Sequence, residues 1–334
     1  MSVVVLEGWG GSGKSLLLSY LDGHSELFAM PVHDKLIYDF MMLRANDLHC
    51  KDQDIRHLRK VLSSHGYYNI EYNASRGVIP VLLSTKKDDV IEVPFKFKFE
   101  KFEKSWKSKI LDNITFSRER LIELFYTSFL ESVETKDYKD ISSINSFVTL
   151  GDARSCCPVR FLNTYPNSKL IYVKRSIPEL IGIRSNRKTP SGLTRGMFEK
   201  DFLTVLLSGE LQRIVDYEHK LNIAKNLNPT RVLTVEFDHL LLNRDKTLIS
   251  IQKFLECSIE KLSPSMLCYS LGNDTQNYGT QKNDSVESLL SPGRILFIEF
   301  FAKLGSKSIF LNRVSLACFK LLFFVLRLIR FICK

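Results

Sequence analysis

A glycine-rich segment near the start of the chain constrains the fold more than any other feature. Residues 8–15, GWGGSGKS, match the pattern GxxxxGK[ST] at every fixed position. A valine-rich apolar run at 3–7 precedes the segment, and a leucine-rich helical pattern, Leu16–Leu21, follows it. Strand, loop and helix in this order predict a phosphate-binding loop, because glycines let N–H groups converge and the helix start adds partial positive charge. The alternative is a glycine-rich turn without a ligand.

Three later apolar runs predict further strands of the same sheet. They are SFVTLGD (146–152), KLIYVKR (169–175) and RVLTVEF (231–237). Helical patterns, PELIGIRSNR and TLISIQKFLE, follow the second and third runs. Strands that alternate with helices indicate an α/β protein, here a P-loop-type three-layer fold with a central parallel sheet. We expect one domain over residues 1–310.

Residues 41–147 are expected to form an insertion in this domain. Short alternating runs between 67 and 100, separated by NASRG and KKDD, predict a β-rich part. In PFKFKFEKF (94–102) Phe95, Phe97 and Phe99 recur at every second position and alternate with charged residues, which predicts a strand with one buried face. An aromatic platform for nucleic acid is the alternative for this run. Residues 116–134 predict a helix.

Composition limits the class of protein and of ligand. Hydrophobic residues make up 44% of the 334 residues and charged residues 25%, which is typical of a globular protein. The net charge of +10 favours an anionic partner: nucleic acid, a membrane surface, or a phosphorylated or sulfated small molecule. Seven cysteines without a CxxC pair indicate reduced thiols, and no zinc or other metal site is expected. With the first strand near residue 2, we expect a cytoplasmic protein.

Three segments together resemble the sulfotransferase family. They are GWGGSGKSLLLSYLDGHSEL, GDARSCCPVRFLNTYPNSKLIYVKRSIPELIGIRSNR and RVLTVEFDHLLLNRDKTLISIQKFLE, and the resemblance covers residues 1–40 and about 148–258. In the family the first segment holds the 5′-phosphosulfate of the donor PAPS (3′-phosphoadenosine 5′-phosphosulfate). The resemblance implies transfer of a sulfuryl group from PAPS to a hydroxyl or amine of a small-molecule or glycan acceptor, such as a carbohydrate or glycolipid. The 41–147 insertion, which the resemblance does not cover, is the expected acceptor-binding region. No metal and no nucleic acid are expected.

The resemblance also assigns the donor-binding residues. The 5′-phosphosulfate is expected on Gly10, Gly11, Ser12, Gly13, Lys14 and Ser15. Gly11 stands where the family has a basic residue, so Lys14 is expected to stabilise the departing oxygen instead. Arg175 matches the arginine that binds the 3′-phosphate. Ile183 stands where the family has a serine, so Ser185 is the expected replacement, with Arg184 as the alternative.

Sulfuryl transfer requires a base that takes the proton of the acceptor hydroxyl. His33, in AMPVHDK, lies close to the position of a catalytic glutamate in some sulfotransferases, two residues out of register. It is the candidate base, and Asp34 is an equally reachable carboxylate. The alternative is an ordinary surface histidine in a loop.

The same loop is compatible with an ATP-dependent small-molecule kinase, because GSGKS is also a Walker A sequence. In that case Asp152 would lie near magnesium at the end of a Walker B strand. Three arginines would form a lid over the phosphates: Arg175, Arg184 and Arg187. The order of the later segments favours the sulfotransferase.

The last residues, 311–334, predict a basic amphipathic helix. VSLACFKLLFFVLRLIRFICK (314–334) is mostly apolar, but its basic residues lie on one helical stripe: Arg313, Lys320, Arg327, Arg330 and Lys334. This pattern favours a helix that lies on the cytoplasmic membrane face through residues 313–334. Packing against the enzyme body or a second protein is the alternative.

Overall fold

The computed structural model describes most of the predicted α/β domain. The described residues are 1–33, 78–80, 90–92, 96–111, 118–134, 141–151, 153, 157–186, 209–263, 292–307 and 317. The strands are β1 (Ser2–Glu7), β2 (Leu27–His33), β3 (Val78–Pro80), β4 (Val90–Glu92), β5 (Lys96–Phe97), β6 (Val133–Glu134), β7 (Ser146–Leu150), β8 (Lys169–Lys174) and β9 (Val232–Glu236). The α-helices are α1 (Lys14–Asp22), α2 (Phe99–Leu111), α3 (Arg118–Glu131), α4 (Pro158–Thr164), α5 (Ile177–Asn186), α6 (Glu210–Leu227), α7 (Phe237–Leu242), α8 (Arg244–Leu255) and α9 (Pro292–Lys307).

Five strands form the central sheet in the order β2-β7-β1-β8-β9, and all the neighbouring pairs are parallel. The predictions of strands at 146–152, 169–175 and 231–237 are confirmed by β7, β8 and β9. Because all five strands run the same way, their carboxyl ends meet at one edge of the sheet. The loop after β1 lies at this edge, in the middle of the sheet.

Helices cover both faces of the sheet, so the three-layer α/β prediction is confirmed. Val3 and Val5 of β1 point into a core with α2 to α6, and Val4 and Leu6 point into a second core with α1, α7 and α8. Successive side chains of β1 enter opposite cores because a strand has a two-residue period. The run of apolar residues in β1 is continuous because both of its faces are buried.

The described part of the 41–147 insertion contains both strands and helices. β3 pairs with β4 and β5 with β6, each pair antiparallel and separate from the central sheet. The helix predicted at 116–134 is confirmed by α3. The prediction of a strand over 94–102 is wrong beyond Phe97, because α2 begins at Phe99. Phe102, Trp106 and Ile110 recur at helical spacing and are buried in the sheet core, which outweighs the two-residue pattern before them.

The basic C-terminal segment lies outside the described residues except for Ala317. The helical and membrane predictions for 313–334 therefore stay predictions. Among the helices that the structure describes, none is both long enough and apolar enough to cross a membrane.

Candidate functional site

The glycine-rich loop follows β1 and ends where α1 begins at Lys14. The Ser12 N–H donates to the Trp9 carbonyl at 2.9 Å, which closes a tight turn, and Gly10 and Gly11 at its tip are exposed. Gly13 precedes α1 with a φ of 95° and no side-chain cap. The first N–H groups of a helix have no partner within the helix, so the turn and the start of α1 together have the arrangement of a candidate anion-binding loop.

Two glycines of the loop are required by close packing. A Cβ on Gly8 would lie 2.3 Å from Ser12 Oγ and 2.9 Å from the Val173 carbonyl oxygen. A Cβ on Gly13 would lie 2.1 Å from the ring of Phe237. The loop is thus held between β8 on one side and the first residue of α7 on the other.

Lys14 ties the loop to the neighbouring strand. Its side chain is buried, and Nζ donates to the Gly8 carbonyl at 2.8 Å and to the Gly151 carbonyl at 2.5 Å. Gly151 follows β7 directly, and its N–H donates to Leu6 at 2.9 Å. The ammonium group is therefore fixed beneath the loop, where its charge acts on whatever anion the loop holds.

Arg175 reaches the same loop from the end of β8. Its Nη1 donates to the Gly11 carbonyl at 3.1 Å, and its Nη2 lies 3.5 Å from a carboxylate oxygen of Glu179. The guanidinium carbon lies 4.5 Å from the centre of the Phe237 ring. Its buried Nε has no hydrogen-bond partner among the described residues. Arg175 thus brings a second positive charge to the loop.

The Ser176 side chain caps the start of α5 and holds Glu179 in position. Ser176 Oγ donates to Glu179 Oε2 at 2.6 Å and accepts from the Glu179 N–H at 3.3 Å, at the start of α5. The second bond satisfies one N-terminal N–H group of the helix, and the first holds the carboxylate beside Arg175. The signal is visible in the sequence as SIPE (176–179), where the S-x-x-E spacing stands just before the helix.

Trp9 of the loop is packed among aromatic side chains of neighbouring elements. Trp9 is buried and packs edge-on against Tyr217 of α6, with ring centres 6.5 Å apart. Tyr217 in turn packs on Tyr172 of β8 at 5.5 Å. The Tyr172 hydroxyl donates to Glu218 at 3.5 Å. Burial raises the pKa of Tyr172, with the Glu218 charge adding to the effect, so this tyrosine stays neutral.

The structure brings together the predicted loop residues and Arg175. His33 is the last residue of β2 and pairs with Leu150 of β7, which in turn pairs with Leu6 of β1. His33 is therefore level with the end of β1 but lies two strand spacings, about 10 Å, away from it. Its backbone belongs to β2, so the histidine does not lie in a loop, whereas the exposure of its side chain lies outside what the structure describes. His33 does lie at the carboxyl edge that holds the loop, and its role as base stays a prediction.

For the other predicted site residues the structure describes only the backbone or nothing. Ser185 and Arg184 belong to the last turns of α5, and only their backbone is described. Asp34, Asp152 and Arg187 lie outside the described residues. The contacts of Phe237 and Glu179 were not predicted from the sequence. The S-x-x-E spacing of SIPE (176–179) indicates the cap that holds Glu179, and Phe237 is visible in the sequence as the aromatic residue after RVLTVE.

Comparisons with known proteins give low-identity matches to solved sulfotransferases. The sulfotransferase domain from the curacin biosynthetic pathway is 13% identical, with a TM-score of 0.43, over 78% of this chain and 75% of its own. The sulfotransferase domain of the Synechococcus olefin synthase is 13% identical, with a TM-score of 0.48, over 90% and 94%. Retinol dehydratase, solved with androsterone and inactive cofactor PAP, is 13% identical, with a TM-score of 0.32, over 87% and 71%. No protein-family model and no curated protein matches the chain.

The packing of Gly13 leads to a prediction about stability. We expect Gly13→Ala to lower the free energy of unfolding by about 2–4 kcal/mol, because an L-residue at positive φ is strained and its Cβ would meet the Phe237 ring. Gly209→Ala is the matched control: Gly209 also precedes a helix, at φ 74°, but a Cβ there would meet no atom of the described residues within 4 Å. It should cost about 1–2 kcal/mol. Urea unfolding measures both, and equal losses would contradict the packing argument.

Proposed function

We propose that this chain is a sulfotransferase that uses PAPS as donor. The observation that carries the proposal is the convergence of two cations on one glycine-rich loop. Lys14 bonds to the carbonyl of Gly8, and Arg175, 161 residues later in the chain, bonds to that of Gly11. A loop with a cation beneath it and a second cation at its rim suits a nucleotide that carries two separate anionic groups. PAPS has this chemistry in its 5′-phosphosulfate and its 3′-phosphate.

The residues of the loop fit the 5′-phosphosulfate. The N–H groups of the turn and of the first turn of α1 would hold its oxygens, in the region of Gly10 to Ser15. When bound, PAPS supplies an activated sulfuryl group. Lys14 would stabilise negative charge on the oxygen from which this group departs, because its ammonium is buried beneath the loop. Arg175, with Ser185 on α5, would hold the 3′-phosphate.

The acceptor is proposed to be a hydroxyl or amine compound. His33, at the carboxyl end of β2, would take the proton of the acceptor, with Asp34 beside it in the sequence as the alternative. A carbohydrate or glycolipid acceptor would agree with a basic C-terminal segment that lies on the cytoplasmic membrane face. That location is itself a proposal from the sequence of residues 313–334.

The first test of the proposal concerns Lys14. We expect Lys14→Ala to slow sulfuryl transfer by about 100-fold or more, because the charge on the departing oxygen loses its cation. The measurement is release of 3′-phosphoadenosine 5′-phosphate (PAP) from PAPS with a panel of hydroxyl and amine acceptors.

The matched control for Lys14 is Lys169→Ala. Lys169 is also largely buried and donates to the Phe254 carbonyl at 2.7 Å, but it lies at the opposite end of β8. Each variant should lose about 1–3 kcal/mol of unfolding free energy, because Lys14→Ala removes the donor to two carbonyl oxygens and Lys169→Ala removes the donor to one carbonyl and one carboxylate. An equal loss of transfer in both variants would show that Lys14 acts only through stability.

The second test concerns Arg175 and the 3′-phosphate. We expect Arg175→Ala to weaken PAP binding by about 10–100-fold and adenosine 5′-phosphate binding much less, because one charge-assisted hydrogen-bonding group is lost. Lys174→Ala removes the same charge one residue earlier, where the lysine pairs with Glu236 at 3.3 Å, and should leave both affinities nearly unchanged. An Arg175→Ala variant that still strongly preferred PAP would overturn the assignment.

A further inference from the structure

The Phe237 side chain contacts both the residue before α1 and the guanidinium of Arg175. Its ring lies against the backbone of Gly13, where a Cβ would meet Cδ2 at 2.1 Å and Cε2 at 2.2 Å. The guanidinium of Arg175 lies over the same ring, 4.5 Å from its centre. The ring is therefore in contact with the start of α1 and with the cation at the rim of the loop.

The register of the sheet explains why this contact forms. Lys174 pairs with Glu236 in the parallel β8–β9 ladder, so the next residues, Arg175 and Phe237, leave the two strands side by side. α7 begins at Phe237, and its side chain is buried, with 6% of its surface exposed. The ring thus has a fixed place in the core, which makes it a rigid support rather than a mobile surface group.

Apart from the ring, Arg175 has few contacts with the described residues that could hold its guanidinium in place. Nη1 bonds to Gly11, and Nη2 reaches Glu179 only at 3.5 Å. A cation over an aromatic face gains electrostatic attraction and loses little by burial on that side. Replacing the ring with an aliphatic side chain would remove that attraction and free the guanidinium to rotate about its remaining bonds.

We infer that Phe237 is a positioning residue that fixes the distance between the loop and Arg175, and so sets the preference for nucleotides with a second phosphate. The inference rests on the proposed function, since it names what controls selectivity at that site. An aromatic ring serves this purpose because one rigid plane contacts the loop backbone at its edge and the cation at its face. An aliphatic side chain of similar volume would keep the first contact and lose the second.

The test compares Phe237→Leu with Phe237→Tyr, which keeps the aromatic face. The measured quantity is the ratio of dissociation constants for adenosine 5′-phosphate and PAP, obtained by calorimetry on full-length protein. We expect the leucine variant to lower this ratio about 5–20-fold and the tyrosine variant to change it by less than about 2-fold. If Phe237 had only a structural role, Phe237→Leu would weaken the binding of both nucleotides alike. The ratio would then stay unchanged, which would overturn the inference.

A double-variant cycle and a ligand-free measurement complete the test. In an Arg175→Ala background, Phe237→Leu should have no further effect on the ratio, because the cation that the ring supports is already absent. In ligand-free protein the NMR order parameter of the Arg175 Nε–H should fall in Phe237→Leu and keep its wild-type value in Phe237→Tyr, because the ring restricts the guanidinium. A wild-type protein with no preference for PAP would overturn the proposed function, whereas an unchanged order parameter in Phe237→Leu would overturn the positioning role itself.

Discussion

The packing of the Phe237 ring against the backbone of Gly13 is the contact on which the geometry of the site depends. It leaves no room for a side chain at the residue before α1, and it places that helix start beside the end of β8. Lys14 then reaches back beneath the loop to the carbonyls of Gly8 and Gly151. The loop is therefore held by α7, by β8 and by the end of β7, so its N–H groups are oriented before any anion binds. Such prior orientation reduces the cost of ordering the site when it binds.

The parallel sheet makes this arrangement possible. Its five strands end at one edge, and the loop after β1 has β7 and β8 on either side of it. Each neighbour contributes one part: the end of β7 accepts from Lys14, and the end of β8 supplies Arg175. The helices on the two faces bury the alternating apolar residues of the strands and so fix this edge. The site is thus a consequence of topology as well as of the loop sequence.

The sequence predicted the elements with strong local signals. The loop, three of the sheet strands and Arg175 are where the patterns placed them, because long apolar runs and a complete phosphate-loop pattern are local properties. α2 was partly mistaken for a strand, since KFKF alternates at period two while Phe102, Trp106 and Ile110 follow the helical period. The role of Phe237 could not be predicted, because it depends on the register between β8 and β9, which no local pattern specifies. The strand that ends at His33 was missed for the same reason: its pairing with β7 joins residues more than 110 positions apart.

If the site holds a nucleotide with a 3′-phosphate, calorimetry on the full-length protein should detect this binding without an acceptor. Binding of PAP without metal is compared with binding of ATP with magnesium. We expect micromolar binding of PAP and little binding of ATP with magnesium. Magnesium-dependent binding of ATP alone would contradict this expectation, identify the loop as a Walker A site of a kinase, and make Asp152 the residue to examine for the metal.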